Sequence, residues 1–204
     1  MSGIEGSGEI VGSGLEFRFC PLCGSPLLQD VGGNRAGLTV AKGSSRQAHC
    51  PKCGYVHYRN PIAVVAAILQ SDGPHPPASG LLIPPSAATH LLLVRRTGIY
   101  PGTWCIPCGY VDYDEEVRAA AEREMLEETG LLVETGAVFA VQSNFHNPVN
   151  HTIGVWYLAR RIGGELIPGD DADRAEFFSL DELPEPLAFP TDREVIARLR
   201  DTDK

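Results

Sequence analysis

Between Glu115 and Glu128 the chain sets Glu115, Glu116, Glu122, Glu124, Glu127 and Glu128 against only Arg118 and Arg123. A helix turning about 100° per residue would hold Glu124, Glu127 and Glu128 within one arc about 100° wide. Val117, Ala120 and Ala121 fall within or beside that arc, so the carboxylates continue the small apolar stripe instead of opposing it. Like charges one turn apart destabilise a helix. At ~4 Å and an effective dielectric near 20, one carboxylate pair repels by about 4 kcal/mol. Such an arc calls for a cation, and all-oxygen donors point to Mg²⁺ or Mn²⁺ rather than zinc. Taken alone, the arc leaves a solvated acidic face as the alternative.

The cysteines suggest a second metal. All six fall in C-x-x-C pairs: Cys20/Cys23, Cys50/Cys53 and Cys105/Cys108. The first two pairs are near-copies, Cys20-Pro-Leu-Cys23-Gly and Cys50-Pro-Lys-Cys53-Gly, and can present four thiolates to one structural Zn²⁺. The 26 residues between them, Gly-rich in the middle, read as a long hairpin. Two disulfides or four free thiols are the alternatives, less suited to a reducing compartment. A closed four-thiolate site holds a fold and does no chemistry. The third pair reads as two cysteines in a strand and turn, with a redox dithiol or a further zinc knuckle as alternatives.

The elements that must position these groups follow from pattern. Residues 1–16 are Gly/Ser-rich and read as a flexible tail. Residues 17–58 are too few for a core of their own and need a staple, which the cysteines supply. From 59 to 204 runs a larger domain. Ile62–Gln70 is apolar on both faces, as a buried central strand should be. A loop bearing Pro74, Pro76, Pro77, Pro84 and Pro85 separates it from a second strand at Leu91–Arg95. A helix is expected over Asp114–Thr129, opened by Asp114 and stopped by Gly130. Strands follow at 131–133, 138–142, 152–160 and 176–178. Thr191-x-x-Glu194 reads as a capping box opening a last helix over 192–199.

At 43% hydrophobic and 21% charged residues, the chain can bury a core. Its net charge of -9 argues against a sequence-independent grip on nucleic acid or an anionic membrane. No apolar run approaches the ~20 residues that span a bilayer, and no signal peptide is visible, so a cytoplasmic protein is expected.

The wider spacing is more specific. Gly109-x5-Glu115-x7-Arg123-Glu124-Met125-x-Glu127-Glu128-x-Gly130-Leu131 matches the signature of the Nudix hydrolases at every fixed position. With the cysteine pairs in front, the chain resembles the zinc-ribbon subgroup of that family, which includes NADH-pyrophosphatase-like and ADP-ribose- or FAD-hydrolysing members. The resemblance implies an α/β fold, an α/β/α sandwich with a mixed sheet, preceded by a small zinc ribbon. It implies Mg²⁺-dependent hydrolysis of a nucleoside diphosphate linked to a group X, giving a nucleoside monophosphate and phosphorylated X. Carried onto this chain, Glu124 and Glu128 are the principal metal ligands, Glu127 a further ligand or the base, and Arg123 the partner of Glu115. The backbone carbonyl of Cys108 and the carboxylate of Asp171 are candidate additional ligands.

The chain departs from the pattern in places. The loop begins Pro107-Cys108-Gly109 where Pro-Gly-Gly is usual, and Asp114 stands where a glycine commonly precedes the first glutamate. Ser143-Asn144-Phe145-His146 replaces the Ser-Gln-Pro-Trp of NADH-cleaving members, which turns the expectation away from nicotinamide. Phe145, His146 and Trp156 are candidates for contacting a base. The expected partner is a small nucleotide such as ADP-ribose, FAD or NADH, with no membrane or nucleic acid, and a homodimer is the candidate assembly. The rival reading is a nucleotide-sensing regulator whose ribbon binds a protein. A thiol oxidoreductase using Cys105/Cys108 is the third.

Overall fold

The computed structural model describes residues 17–29, 47–81, 83 and 87–201. The expected tail and the middle of the cysteine hairpin lie outside the described residues. The chain divides into two compact units: one ends at Pro61 and includes Asn147–Asn150, and the other takes Ile62–His146 and the segment from His151 onward.

In the first unit three short strands, β1 (Leu28–Gln29), β2 (Ala48–His49) and β3 (Val56–His57), form an antiparallel sheet in that order. Each C-P-x-C-G segment closes the same turn: Gly24 N–H donates to Cys20 O at 2.9 Å and Gly54 N–H to Cys50 O at 3.0 Å. Both glycines have positive φ, 68° and 76°, which the turn requires. Cys20, Leu27, Ala48 and Cys50 are the buried centre.

The second unit is built on a mixed sheet. Its strands are β4 (Ile62–Ser71), β5 (His90–Arg96), β6 (Trp104–Cys105), β7 (Cys108–Tyr110), β8 (Leu131–Asn144), β9 (Thr152–Gly164) and β10 (Ala172–Ser179). The order is β10-β5-β4-β9-β8, with β4 and β9 parallel and the other pairs antiparallel. β4 and β5 pair only at Gln70–Leu91 and Ser71–His90 and then part. β6 pairs with β5 and β7 with β4 inside that fork, which places the Cys105–Cys108 turn at the middle of the sheet.

The period-two alternation of strands sorts the apolar run into two cores. Val65, Ala67, Leu69, Leu92 and Val94 pack with Ala120, Ala121 and Met125 of helix α1 (Val117–Thr129). Ala66, Ile68, Leu91 and Leu93 pack with Val195, Ile196 and Leu199 of helix α2 (Pro190–Asp201). A sheet covered by a helix on each face is an α/β/α sandwich, and it explains why β4 has no polar face.

Several boundaries differ from expectation. Helix α1 begins at Val117, because the Glu116 side chain, not Asp114, caps the N–H groups of Arg118 and Ala119. Helix α2 begins at Pro190, so Thr191 and Glu194 lie inside the helix and form no capping box. The strands expected at 131–133 and 138–142 are one long β8, kept continuous by bulges against β9.

Candidate active site

Helix α1 presents its glutamates in three different environments. Gly130 ends the helix in the left-handed region at φ 71°, and a Cβ there would stand 2.5 Å from Glu165 O, so both backbone and space demand glycine. Arg123 lies at the centre of the exposed part of the site. Its Nε and Nη2 donate to Glu115 at 2.7 and 2.8 Å, its Nη1 to Glu124 at 2.7 Å and to Glu127 at 3.0 Å, and its Nη2 also to Tyr110 O at 3.0 Å. The guanidinium holds the Glu115 carboxyl down to about 2. The mutual repulsion expected of the arc is therefore relieved: one cation serves Glu124 and Glu127, and Glu128 turns inward.

Glu128 is 1% exposed. Its Oε2 accepts from Cys108 N–H at 3.0 Å, and its Oε1 lies 4.0 Å from Arg96 Nη1. Burial, then the neighbouring Cys105, push its pKa up to about 10. Glu124 is packed over Gly109, where a Cβ would meet the carboxylate carbon at 2.0 Å. That is the physical reason for glycine at this point of the loop. Burial also raises the Glu124 pKa, against the pull of Arg123.

The loop before β10 closes the other side. Gly169 N–H donates to Glu128 O at 3.1 Å, and Asp170, with φ 51°, is near enough to disfavour charge on Glu124. Asp171 accepts from Arg96 Nη2 at 2.8 Å, which brings it to the same guanidinium that faces Glu128. Glu124, Glu127 and Glu128 thus lie at one end of α1 beside this loop, each carboxylate already held by a partner. Among the described residues only the four cysteines form a group of three or more whose ligand atoms lie within 4.8 Å of one another. The cradle over Gly109 and the burial of a carboxylate suit a divalent cation, which would supply the positive charge that a pyrophosphate and these glutamates both lack.

The other sequence candidates are distributed differently. Phe145 is exposed and stands edge-on to His151 at 5.0 Å. His146 joins Tyr100 and Phe189, at 5.7 and 5.5 Å between ring centroids. Trp156 is a correction: at 5% exposed it is packed in the core under α2 and offers no face to a substrate, because its position on β9 faces Val195, Ile196 and Leu199 of that core. Cys105 and Cys108 lie in β6 and β7, in strand and turn as expected. The hydrogen bond to Cys105, and then burial, raise the Cys108 thiol well above its ordinary pKa, the opposite of a reactive thiolate.

Sequence reasoning missed Arg96, Asp170 and Asp192. Asp192 Oδ2 accepts from Ile106 N–H at 3.1 Å, holding the turn that leads to Cys108. Burial pushes its pKa up to about 7. The sequence placed it at the start of the last helix, and nothing in the pattern said its carboxylate would be inside.

In the first unit the sulfurs of Cys20, Cys23, Cys50 and Cys53 lie within 4.8 Å of one another, with Cys20–Cys53 and Cys23–Cys50 at 3.5 Å. Sulfurs about 2.3 Å from a zinc ion would be about 3.8 Å apart in a tetrahedron, so the cluster fits that ion. Hydrogen bonds from Ser25 lower the Cys23 thiol, whereas, against a backbone hydrogen bond from Tyr55, burial and the neighbouring cysteines push Cys53 up, so the four thiols do not titrate alike.

Among known proteins, an ADP-ribose pyrophosphatase from Methanocaldococcus jannaschii is 41% identical over 100 residues, 48% of this chain and 59% of the relative. An NAD-capped RNA hydrolase, NudC, from Stutzerimonas stutzeri is 29% identical over 185 residues, 90% of this chain and 54% of the relative. The chain thus spans somewhat more than half the length of these curated relatives. Among solved structures, a NUDIX hydrolase from Nitrosomonas europaea superposes with a TM-score of 0.66 at 24% identity over 91% of each chain. An ADP-ribose pyrophosphatase from Streptococcus suis gives 0.52 at 28% identity, over 71% of this chain and 94% of that one. The NUDIX domain itself matches residues 74–199, which contain helix α1 with Glu124, Glu127 and Glu128, and this chain belongs to the NUDIX family.

Proposed function

We propose that the protein hydrolyses the pyrophosphate bond of a nucleoside diphosphate linked to X, with Mg²⁺ or Mn²⁺, giving a nucleoside monophosphate and phosphorylated X. The observation that carries this is the placement at one end of α1 of Glu124 over Gly109, Glu128 under the Cys108 peptide, and Glu127 at the solvent edge. These glutamates, with the Cys108 carbonyl and Asp171 as further donors, would hold a divalent ion, which when bound would supply charge neutralisation and activation of water. Glu127, 45% exposed and bound to Arg123 at 3.0 Å, is the group best placed to accept a proton from the attacking water. Arg123 braces Glu115 and the loop against the helix, and Glu128 fixes the loop peptide.

The relatives' names favour ADP-ribose or an NAD-linked pyrophosphate as the substrate class. The acidic chain favours a free nucleotide over an RNA end. We further propose that residues 17–58 form a zinc ribbon held by Cys20, Cys23, Cys50 and Cys53, and that 59–204 is the hydrolase domain. Incubation with ADP-ribose, NADH and FAD, with Mg²⁺ or with EDTA, followed by mass identification of products, tests the reaction. A nucleoside monophosphate formed only with the divalent ion is expected. Cleavage in EDTA, or phosphate release from monoesters alone, overturns the reading.

A further inference from the structure

The acidity of the chain is not shared evenly. Residues 17–59 hold Arg18, Arg35, Lys42, Arg46, Lys52 and Arg59 against Asp30 alone, whereas residues 62–204 hold 22 acidic residues against 11 basic ones. The net charge of -9 therefore sums two regions of opposite sign. A polyanion that the larger unit repels is attracted by the cysteine unit.

Two of the described cations stand among aromatic side chains. The chain reads Phe17-Arg18-Phe19 at the start of the cysteine unit and His57-Tyr58-Arg59 at its end. The Phe17 and His57 rings meet with centroids 4.4 Å apart, which brings the two tripeptides together. Backbone contacts hold both in place: Leu27 N–H donates to Arg18 O at 2.9 Å, Phe19 bridges Pro26, and His57 pairs with Ala48. Arg59 Nη2 donates to Val149 O at 3.2 Å, which engages one edge of that guanidinium.

The rings face outward. Phe17, Phe19 and Tyr58 are 50%, 61% and 59% exposed, although a unit this small has little apolar surface to spare from its buried centre at Cys20, Leu27, Ala48 and Cys50. Large rings left out of a small core and set beside arginines have the composition of a stacking platform with phosphate contacts. An acidic peptide or a lipid headgroup would satisfy the arginines and give the ring faces no planar partner. A duplex keeps its bases in its own stack. Only an unpaired strand offers flat faces and phosphates together.

We propose that this surface of the cysteine unit binds an unpaired polynucleotide strand, whose bases stack on Phe19 and Tyr58 and whose phosphates meet Arg18 and Arg59. The strand is a ligand of the cysteine unit and is not the molecule cleaved beside α1, so its binding does not depend on the hydrolytic reading.

Fluorescence anisotropy with the full chain separates the parts of this surface. The probes are labelled oligo(U) and oligo(dT) of about 12 nucleotides, an abasic strand and a duplex of the same length, polyglutamate, and phosphatidylserine vesicles. The parent should bind both unpaired strands, with similar affinity because rings and arginines do not read the 2′-hydroxyl, and more tightly than any other probe. Affinity should fall between about 50 and 200 mM salt, and Arg18→Gln should reduce the logarithmic salt slope by about 0.7, one phosphate of a single strand. Phe19→Ala and Tyr58→Ala should each weaken binding about five- to 150-fold, the range that base–ring stacking spans, and Phe19→Trp should keep it. Should Phe19→Ala fail to fold, as judged by its melting curve, Tyr58→Ala decides. A parent that binds no strand, that binds the abasic chain or polyglutamate as tightly, or that prefers the vesicles overturns the proposal, as do alanine variants with parental affinity. Glu128→Gln, which impairs hydrolysis, should bind the strand as the parent does. Loss of strand binding in that variant would place the strand at the hydrolytic site and also overturns the proposal.

Discussion

The four-cysteine knuckle and the glutamates of α1 both gather metal-ligating groups, but they are organised in opposite ways. In the knuckle, four sulfurs from two near-identical turns converge within 4.8 Å. In the hydrolase-like unit, the carboxylates are kept apart in function by different surroundings: Glu115 is held near pH 2 by Arg123, and Glu128 is pushed to about 10 by burial. Four donors of one kind make a closed site suited to holding structure. Unequal donors around an opening leave room for a substrate and let each carboxylate do a different task.

The largest effect expected on that contrast is from Glu128→Gln. The substitution keeps the shape and the acceptor for Cys108 N–H, so the metal-free protein should melt within about 1 kcal/mol of the parent. Turnover should fall about 10²- to 10⁴-fold, the equivalent of roughly 3–5 kcal/mol of transition-state stabilisation. A rate assay and a melting curve check both. A fully active variant would place the ion elsewhere and break the comparison.

Gly109→Ala tests the cradle without touching a carboxylate. The new Cβ would occupy the space of Glu124, so the side chain must leave, and turnover should drop about 10- to 100-fold, roughly 1.4–2.7 kcal/mol. Recovery at raised Mg²⁺ would show that the loss is in ion binding.

Cys50→Ser should act on the other region alone. Metal analysis of the parent should find one zinc per chain and of the variant substoichiometric zinc, with the melting temperature lowered by several degrees. Turnover of the folded variant should remain within about threefold, ~0.6 kcal/mol, of the parent. A loss as large as that of Glu128→Gln would make the knuckle part of the chemistry.

The effect expected to leave turnover least changed is a pH dependence of stability. Burial moves Asp192 from an ordinary 3.8 to about 7. Below pH ~4 the carboxyl is protonated in both states, and between about 4 and 7 the folded state binds more protons than the unfolded. Stability therefore declines as pH rises through that window. Asp192→Asn, which can still accept from Ile106 N–H, should lessen that decline, by up to a few kcal/mol on the order-of-magnitude scale of the shift. Denaturant melts at pH 4.5 and 7.5 measure the difference, and parallel curves for parent and variant would remove Asp192 from the account.

Much of the site was legible because its spacing is local. Gly109, Glu115, Arg123, Glu124, Glu127 and Glu128 fall within two segments joined by one turn of loop, and helical geometry relates them without any tertiary knowledge. The paired C-P-x-C-G units were legible for the same reason: each turn is closed by its own backbone, through Gly24 and Gly54. The two-sided apolar run at 62–69 announced a strand covered on both faces, and β4 with α1 and α2 on either side is that strand.

Packing decided the rest. The sequence supplied three equal glutamates, and only the tertiary structure made them unequal, because burial and charge neighbours belong to position and not to residue type. Trp156 and His146 were equivalent aromatic candidates along the chain, yet the covered β9 put one in the core and the end of β8 put the other beside Tyr100 and Phe189. Arg96 and Asp192 carried no local pattern at all. Arg96 meets Asp171 because β10 pairs with β5 at Ala172–Arg96, and Asp192 meets Ile106 because the parting of β4 and β5 admits the 105–108 turn into the middle of the sheet; the two contacts join residues 75 and 86 positions apart. Local spacing determined which glutamates share one end of a helix; long-range contacts determined their charge states and what stands around them.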